Sequence, residues 1–298
     1  MIKVCVIGMG NVGHCAARTV LLEKDMELVG IIMRTPRALD AEGLSGVEVV
    51  QKIGDLSVKP DVAILCTPTR AVESVAKECL KQGISTVDCF DIHGDIVALR
   101  RTLDQAAKAT GAVAVTASGW DPGSDSIVRT LMQAAAPKGI TYTNFGPGMS
   151  MGHSVAAKSK PAVKDALSMT IPLGTGVHRR MVYIEVEDGC TYEEAAAQIK
   201  ADDYFSHDET HVIAVDHIED LKDVGHGVHM VRKGVSGETH NQIFSFDMKI
   251  NNPALTAQMM VASARAATRQ QPGCYTLIEL PVIDFLCGER EPLIGKLV

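Results

Sequence analysis

Residues 3–13 read KVCVIGMGNVG: an apolar run, a cluster of glycines, then the opening of a helical pattern. An apolar run without alternation suits a strand buried on both faces, as in a parallel sheet. Gly8-x-Gly10-x-x-Gly13 follows it at once, and apolar residues at helical spacing run on from Asn11 to Glu23. Strand, glycine turn and helix in that order let backbone approach a pyrophosphate and aim helix N–H groups at it. Gly8, Gly10, Asn11, Val12 and Gly13 are thus candidates to cradle a dinucleotide; the other reading of the glycines is a plain tight turn.

Working outward, further short apolar strands are expected at 27–33, 61–66, 85–88 and 112–116, with helices over 70–82 and 95–110. Such alternation is the pattern of a doubly wound parallel sheet. After about Pro137 the pattern changes: 181–187, 210–215 and 241–250 alternate in part, which suits an antiparallel sheet with one wet face. A helix over about 255–270 follows. The expected fold is α/β, with a Rossmann dinucleotide-binding domain over 1–120, rejoined by 253–298. An α+β domain over 121–252, mostly antiparallel, is left for substrate binding and oligomerisation.

Composition narrows the partners. A net charge of −7 over 298 residues argues against nucleic acid and anionic membrane surfaces. No apolar stretch approaches the ~18 residues that span a bilayer, and the first residues lack a signal peptide's basic and apolar regions. Eight scattered cysteines with no C-x-x-C indicate neither a zinc site nor a disulfide lattice, so a reducing cytoplasm is expected. His207 and His211 are four apart, as two ligands on one helix face would be, but no third ligand accompanies them and no metal is expected.

The residue after the second strand selects the nucleotide. An NAD reader has an acid there; this chain has Arg34-Thr35-Pro36-Arg37, whose guanidinium groups suit a 2′-phosphate, so NADP is expected. Cys66-Thr67-Pro68-Thr69 leaves the carboxyl edge of the sheet, where ligands of open α/β sheets lie, though Thr69 also suits a cap for the helix near Arg70. Asp91 and Asp121 leave the same edge after later strands. Carboxylates there suit an amine substrate and help to take a proton from its ammonium group. Asp95 reads rather as a helix cap. The lone tryptophan, Trp120, stands directly before Asp121 and a Pro-Gly turn; it is either a pocket wall or core filling.

The stretches GMGNVG (8–13), VDCFDIHGDI (87–96), TASGWDPGSDSI (116–127), FGPGMSMGHS (145–154) and HGVHM (226–230) together resemble the meso-2,6-diaminopimelate D-dehydrogenase family, in its shorter, broad-specificity branch. Phe90 stands where tyrosine is common in that family. The resemblance implies a cytoplasmic, NADP-dependent enzyme of lysine biosynthesis, assembled as a homodimer or larger homo-oligomer. Its reaction is the reversible oxidative deamination of the D-centre of meso-diaminopimelate. The products are L-2-amino-6-oxopimelate, which cyclises to tetrahydrodipicolinate, and ammonia. By the same resemblance Asp91, Trp120 and Asp121 surround the reacting centre, with Phe145 and Met151 as apolar wall. Thr170, Arg180, His226 and Asn252 surround the distal L-centre. Arg179 is adjacent to Arg180, but strand alternation sends the two to opposite faces. Two alternatives keep the fold and cofactor: a broad D-amino-acid or 2,4-diaminopentanoate dehydrogenase, and a non-catalytic NADP-binding sensor.

Overall fold

The computed structural model describes residues 1–222 and 225–298. They form two compact units, 1–128 with 253–298, and 129–252. In chain order the first unit holds β1 (Ile2–Ile7), α1 (Asn11–Leu22), β2 (Met26–Ile32), β3 (Val49–Val50), β4 (Val62–Leu65), α2 (Val72–Lys81), β5 (Ser85–Asp88), α3 (Ile96–Thr110) and β6 (Val113–Val115). The chain leaves this unit within α4 (Ser124–Ala135). The break lies eight residues beyond the expected one, because the start of α4 brings Ile127 against the first unit's core.

The second unit holds β7 (Lys138–Phe145), β8 (Gly148–Met149), α5 (Met151–Lys158), β9 (Val163–Gly174), β10 (Val177–Val186), α6 (Tyr192–Lys200) and α7 (Asp203–Ser206). It continues through β11 (Glu209–Ala214), β12 (Gly225–Ser236) and β13 (Thr239–Asn251). The chain rejoins the first unit at α8 (Asn252–Ala267), followed by β14 (Gly273–Tyr275) and α9 (Arg290–Leu297).

The first unit is one seven-stranded parallel sheet in the order β14-β6-β5-β4-β1-β2-β3. Its strands are mostly apolar because each face carries its own buried cluster. One cluster joins Val4, Val6 and Ile64 to α1 and α8, and the other joins Cys5, Leu65 and Ala114 to α2 and α3. α8 is buried on nearly every side, so it shows little helical amphipathicity. Within it Arg265, 3% exposed, pairs with Glu23 and Asp25 and donates to the Phe285 carbonyl, so the buried guanidinium is compensated.

The second unit has a four-stranded sheet, β11-β10-β9-β8, and a three-stranded antiparallel sheet, β13-β12-β7. All pairs are antiparallel except β10 with β11. Ala157, Val182, Ile184, Ile199 and Phe205 form its buried cluster. α6 starts with a reciprocal capping box between Thr191 and Glu194.

Candidate active site

The glycine turn fits a nucleotide. A Cβ on Gly8, whose φ is +97°, would meet the Cys66 carbonyl oxygen at 2.4 Å, and one on Gly13 would meet the Gly8 carbonyl oxygen at 2.0 Å. The space over Gly10 is open to 4 Å, and no side chain caps α1 there. The Thr67 hydroxyl oxygen is buried with no hydrogen-bond partner among the described residues. A pyrophosphate oxygen would supply the missing charge at the helix start. Beyond β2 the arginines differ from each other. Arg34 and Thr35 are exposed, whereas Arg37 forms an ion pair with Glu42, which also lies 3.6 Å from His14. Of the two expected phosphate ligands, Arg34 is the one whose guanidinium has no partner among the described residues.

Three loops leave the carboxyl edge of the same sheet, after β4, β5 and β6. Thr69 does not cap the next helix; its hydroxyl donates to Asp91 Oδ1 at 2.6 Å and ties the first loop to the second. Asp95 occupies the N-cap position of α3, but its side chain makes no capping bond.

Asp88, at the end of β5, ties the second loop to the third. Its Oδ1 accepts from the backbone N–H groups of Phe90 (3.0 Å) and Ala117 (3.2 Å) and from the Thr116 hydroxyl (2.9 Å). Its carbonyl accepts from both the N–H and the hydroxyl of Ser118 at 2.8 Å. Ala117 holds φ +56°, a left-handed conformation that an L-residue keeps only when its surroundings impose it. Oδ2 of Asp88 is buried without a partner among the described residues. Burial pushes this carboxyl up to about 6, against the three donors that pull it down.

The turn that follows is closed by Gly123, where a Cβ would meet the Gly119 carbonyl oxygen at 1.9 Å. It presents Trp120, which is buried, and Asp121, which is half-buried. The tryptophan is therefore largely packed, while standing next to the acid at the end of the loop.

In the second unit Arg180 on β10 lies directly across from Thr170 on β9. Its Nη1 donates to the Thr170 hydroxyl and its Nε to Asp208 Oδ2 at 2.6 Å. Arg179 pairs instead with Glu209, as alternation along the strand requires. His226, on β12, arrives through the Gly146-Pro147-Gly148 crossing. A Cβ at Gly146 would meet the Thr170 carbonyl oxygen at 2.3 Å; one at Gly148 would meet the Gly225 carbonyl oxygen at 2.2 Å and His226 Cα at 2.8 Å. Only bare backbone brings β8 against both strands. Asn252 follows Asn251, which pairs with Gly225, so the end of β13 delivers it to the same place.

Phe145 ends β7; its N–H donates to His178 Nε2 at 2.7 Å and the two rings lie 5.5 Å apart. Met151 opens α5, and His153, two residues on, shares a 2.8 Å hydrogen bond with Ser150 and packs edge-on against Tyr204 and Phe205. Burial, with help from the nearby Arg180 cation, pushes His153 down to about 3, so it is neutral. His207 ends α7 and His211 lies on β11, so the two histidines share no helix. The described residues hold no cluster fit for a metal.

Asp88, Asp208 and His178 escape a reading of the sequence. Asp88 had one signal, a carboxylate closing an otherwise buried strand. Asp208 sits in HDETH (207–211), where the histidines draw the eye instead.

Parallel sheet, glycine cradle and uncapped helix start define a Rossmann-type dinucleotide-binding enzyme. Comparison with known proteins sharpens this. A family model for the diaminopimelic acid dehydrogenase C-terminal domain matches residues 119–179, and one for a CoA binding domain matches residues 1–93. A meso-diaminopimelate D-dehydrogenase from Bacteroides fragilis is 58% identical over 297 residues, covering 100% of this chain and 99% of the relative. The solved Corynebacterium glutamicum DAP dehydrogenase in complex with DAP superposes with a TM-score of 0.90 at 28% identity, covering 100% of this chain and 99% of that one. An engineered D-amino acid dehydrogenase bound to NADP+ gives 0.87 at 28% identity, with 100% and 99% covered. The chain belongs to the meso-diaminopimelate D-dehydrogenase family.

Proposed function

We propose that this chain catalyses the reversible NADP-dependent oxidative deamination of the D-centre of meso-2,6-diaminopimelate, giving L-2-amino-6-oxopimelate and ammonia in lysine biosynthesis. The first unit holds the nucleotide through Gly8, Gly10, Asn11, Val12 and Gly13, the Cys66-Thr67-Pro68-Thr69 segment and the Arg34–Arg37 loop. NADP, when bound, supplies the acceptor for the hydride that leaves the D-carbon.

Asp91 and Asp121 are the catalytic residues in this reading. They attract the substrate ammonium and take from it the proton whose loss lets the nitrogen lone pair form the C=N bond. Water then adds to the imine carbon and ammonia departs, which leaves the oxo acid. Thr69 fixes the carboxylate of Asp91, and Asp88 fixes the loops on either side of it. Trp120 is the apolar residue this reading assigns to the reacting carbon in the first unit, and Phe145 and Met151 are its apolar candidates in the second. Arg180, Thr170, His226 and Asn252, in the substrate-binding unit, hold the L-centre.

The observation that carries the reading is the Arg180–Thr170 pair on adjacent strands with His226 brought to it by two glycines, because this set suits a carboxylate. 2,4-Diaminopentanoate has a single carboxylate, so it cannot present one at both ends as meso-diaminopimelate does. The test is NADPH formation by purified protein with NADP and, separately, meso-, D,D- and L,L-diaminopimelate and D-alanine. Turnover of the meso form alone is expected. Comparable turnover of D-alanine would move the assignment to a broad D-amino-acid dehydrogenase, and no turnover of any would leave a nucleotide sensor.

The chain is further read as a cytoplasmic homodimer or larger homo-oligomer. All eight cysteines are free thiols, which suits a reducing compartment. Ile140 and Ile243, opposite Lys233 in the three-stranded sheet, are 59% and 63% exposed, as a face covered by another copy would be. Light scattering that returns a monomer mass would remove the assembly. No helix among the described residues is long and apolar enough to cross a membrane.

A further inference from the structure

We propose that Asp208 is the positioning residue for Arg180: it selects the edge of the guanidinium that meets the substrate's far carboxylate. The inference rests on the assignment of Arg180 to that carboxylate. A guanidinium offers a carboxylate a forked pair of donors along more than one edge. Arg180 Nε already donates to Asp208 Oδ2 at 2.6 Å, so the edge that includes Nε is taken. The end formed by the two Nη groups remains for a second carboxylate. Nη1 also donates to the hydroxyl oxygen of Thr170, a residue 1% exposed. The Thr170 proton must then point away from Arg180, which leaves it available to the same ligand.

The fold holds Asp208 without help from Arg180. Its N–H donates to the Phe205 carbonyl at 3.3 Å, and its own carbonyl accepts from the Thr210 hydroxyl at 3.1 Å. Phe205 is 1% exposed and anchors the turn in the core, while Thr210 pairs directly with Arg180 across β10 and β11. The Arg180 side chain is only 14% exposed. A largely buried cation with no counter-charge would be costly before substrate arrives, and Asp208 supplies that charge in the resting enzyme. The arrangement is therefore a pre-set clamp: the long, flexible arginine is ordered by the fold and not by the ligand.

The test is steady-state kinetics on the full-length enzyme with meso-diaminopimelate and NADP, comparing wild type, Asp208→Ala, Asp208→Asn, Arg180→Ala and the Asp208→Ala/Arg180→Ala pair. Asp208→Ala is expected to raise the KM for meso-diaminopimelate by about tenfold to a hundredfold. The effect should fall on KM far more than on kcat and leave the KM for NADP alone. Asp208→Asn, which keeps an acceptor for Nε, should recover much of the loss. In the Arg180→Ala background the Asp208 change should add nothing. A full additional KM rise there would show Asp208 touching substrate directly and overturn the positioning role. Unchanged KM in Asp208→Ala would also overturn it, as would equal losses in kcat and in NADP binding. A wild type that ignores meso-diaminopimelate would instead sink the proposed function, which keeps the two failures apart.

Discussion

The two units fix their charged side chains by opposite means. In the first, Asp88 is fully buried and gathers donors from the chain around it, so a carboxylate organises two loops. In the second, the strands come first: cross-strand pairing puts Arg180 beside Thr170, and an acid in a neighbouring turn completes the setting. The difference teaches where error is tolerated. In the proposed reading, the loops given the proton chemistry depend on one buried acid, whereas the proposed carboxylate clamp is set on paired strands.

The largest effect should come from Asp91. Asp91→Asn keeps the hydrogen bond to Thr69 possible but removes the base, and kcat should fall about 10²–10⁴-fold. NADPH formation under saturating substrate reads this directly; a loss under tenfold would move proton removal to Asp121. Asp88→Ala should cost about 3 kcal/mol of stability in urea titration, because buried donors lose their acceptor. Little change would mean that water or a neighbour replaces the carboxylate and that the loops do not depend on it.

Arg180→Ala should raise the KM for meso-diaminopimelate by about a hundredfold, in keeping with truncation of a buried charge-assisted contact. The NADP KM should stay within about twofold. Equal damage to both would erase the contrast between the units.

Two groups sharpen the contrast through pH. Asp88, raised from 3.8 to about 6, binds its proton more tightly in the folded protein. Its contribution is full below about pH 3.8 and is lost as pH rises through 6. His153, lowered from 6.5 to about 3, acts in the other direction: its contribution is present above about pH 6.5 and is lost as pH falls towards 3. Going from pH 7 to 5 should therefore cost the wild type about 2 kcal/mol through His153, at about 1.4 kcal/mol per pKa unit. His153→Gln should flatten that part of the profile in urea titrations at each pH, while Asp88→Asn should flatten the opposing slope between about 4 and 6. An unchanged slope in either variant would assign the pH dependence elsewhere.

The nucleotide end was legible because its signals are contiguous. A buried strand, three glycines and a helix lie within residues 3–23, and each obeys a local steric rule. The place of Asp91 at the sheet edge was legible for the same reason, as an acid just past a strand. The second unit was harder. β9 and β12 escaped the sequence reading because β12 carries three glycines and two histidines, and its strand character comes from pairing with β7 and β13. Thr69 looked like a cap because local spacing allowed it; its bond to Asp91, 22 residues away, is a fact of three dimensions. Asp208 and Arg180 are separated by 28 residues and meet only because β10 and β11 run side by side.

The Gly146-Pro147-Gly148 crossing sets a practical boundary on retooling this protein. Under the proposed assignment, Thr170, Arg180 and His226 on their strands and Asp208 in its turn can be exchanged as a group to welcome amines of another shape, since only their side chains face that role. Positions 146 and 148 are different. A single added methyl there collides with main-chain atoms that no rotamer can move, so a mutant library should randomise the decorations and leave that seam untouched.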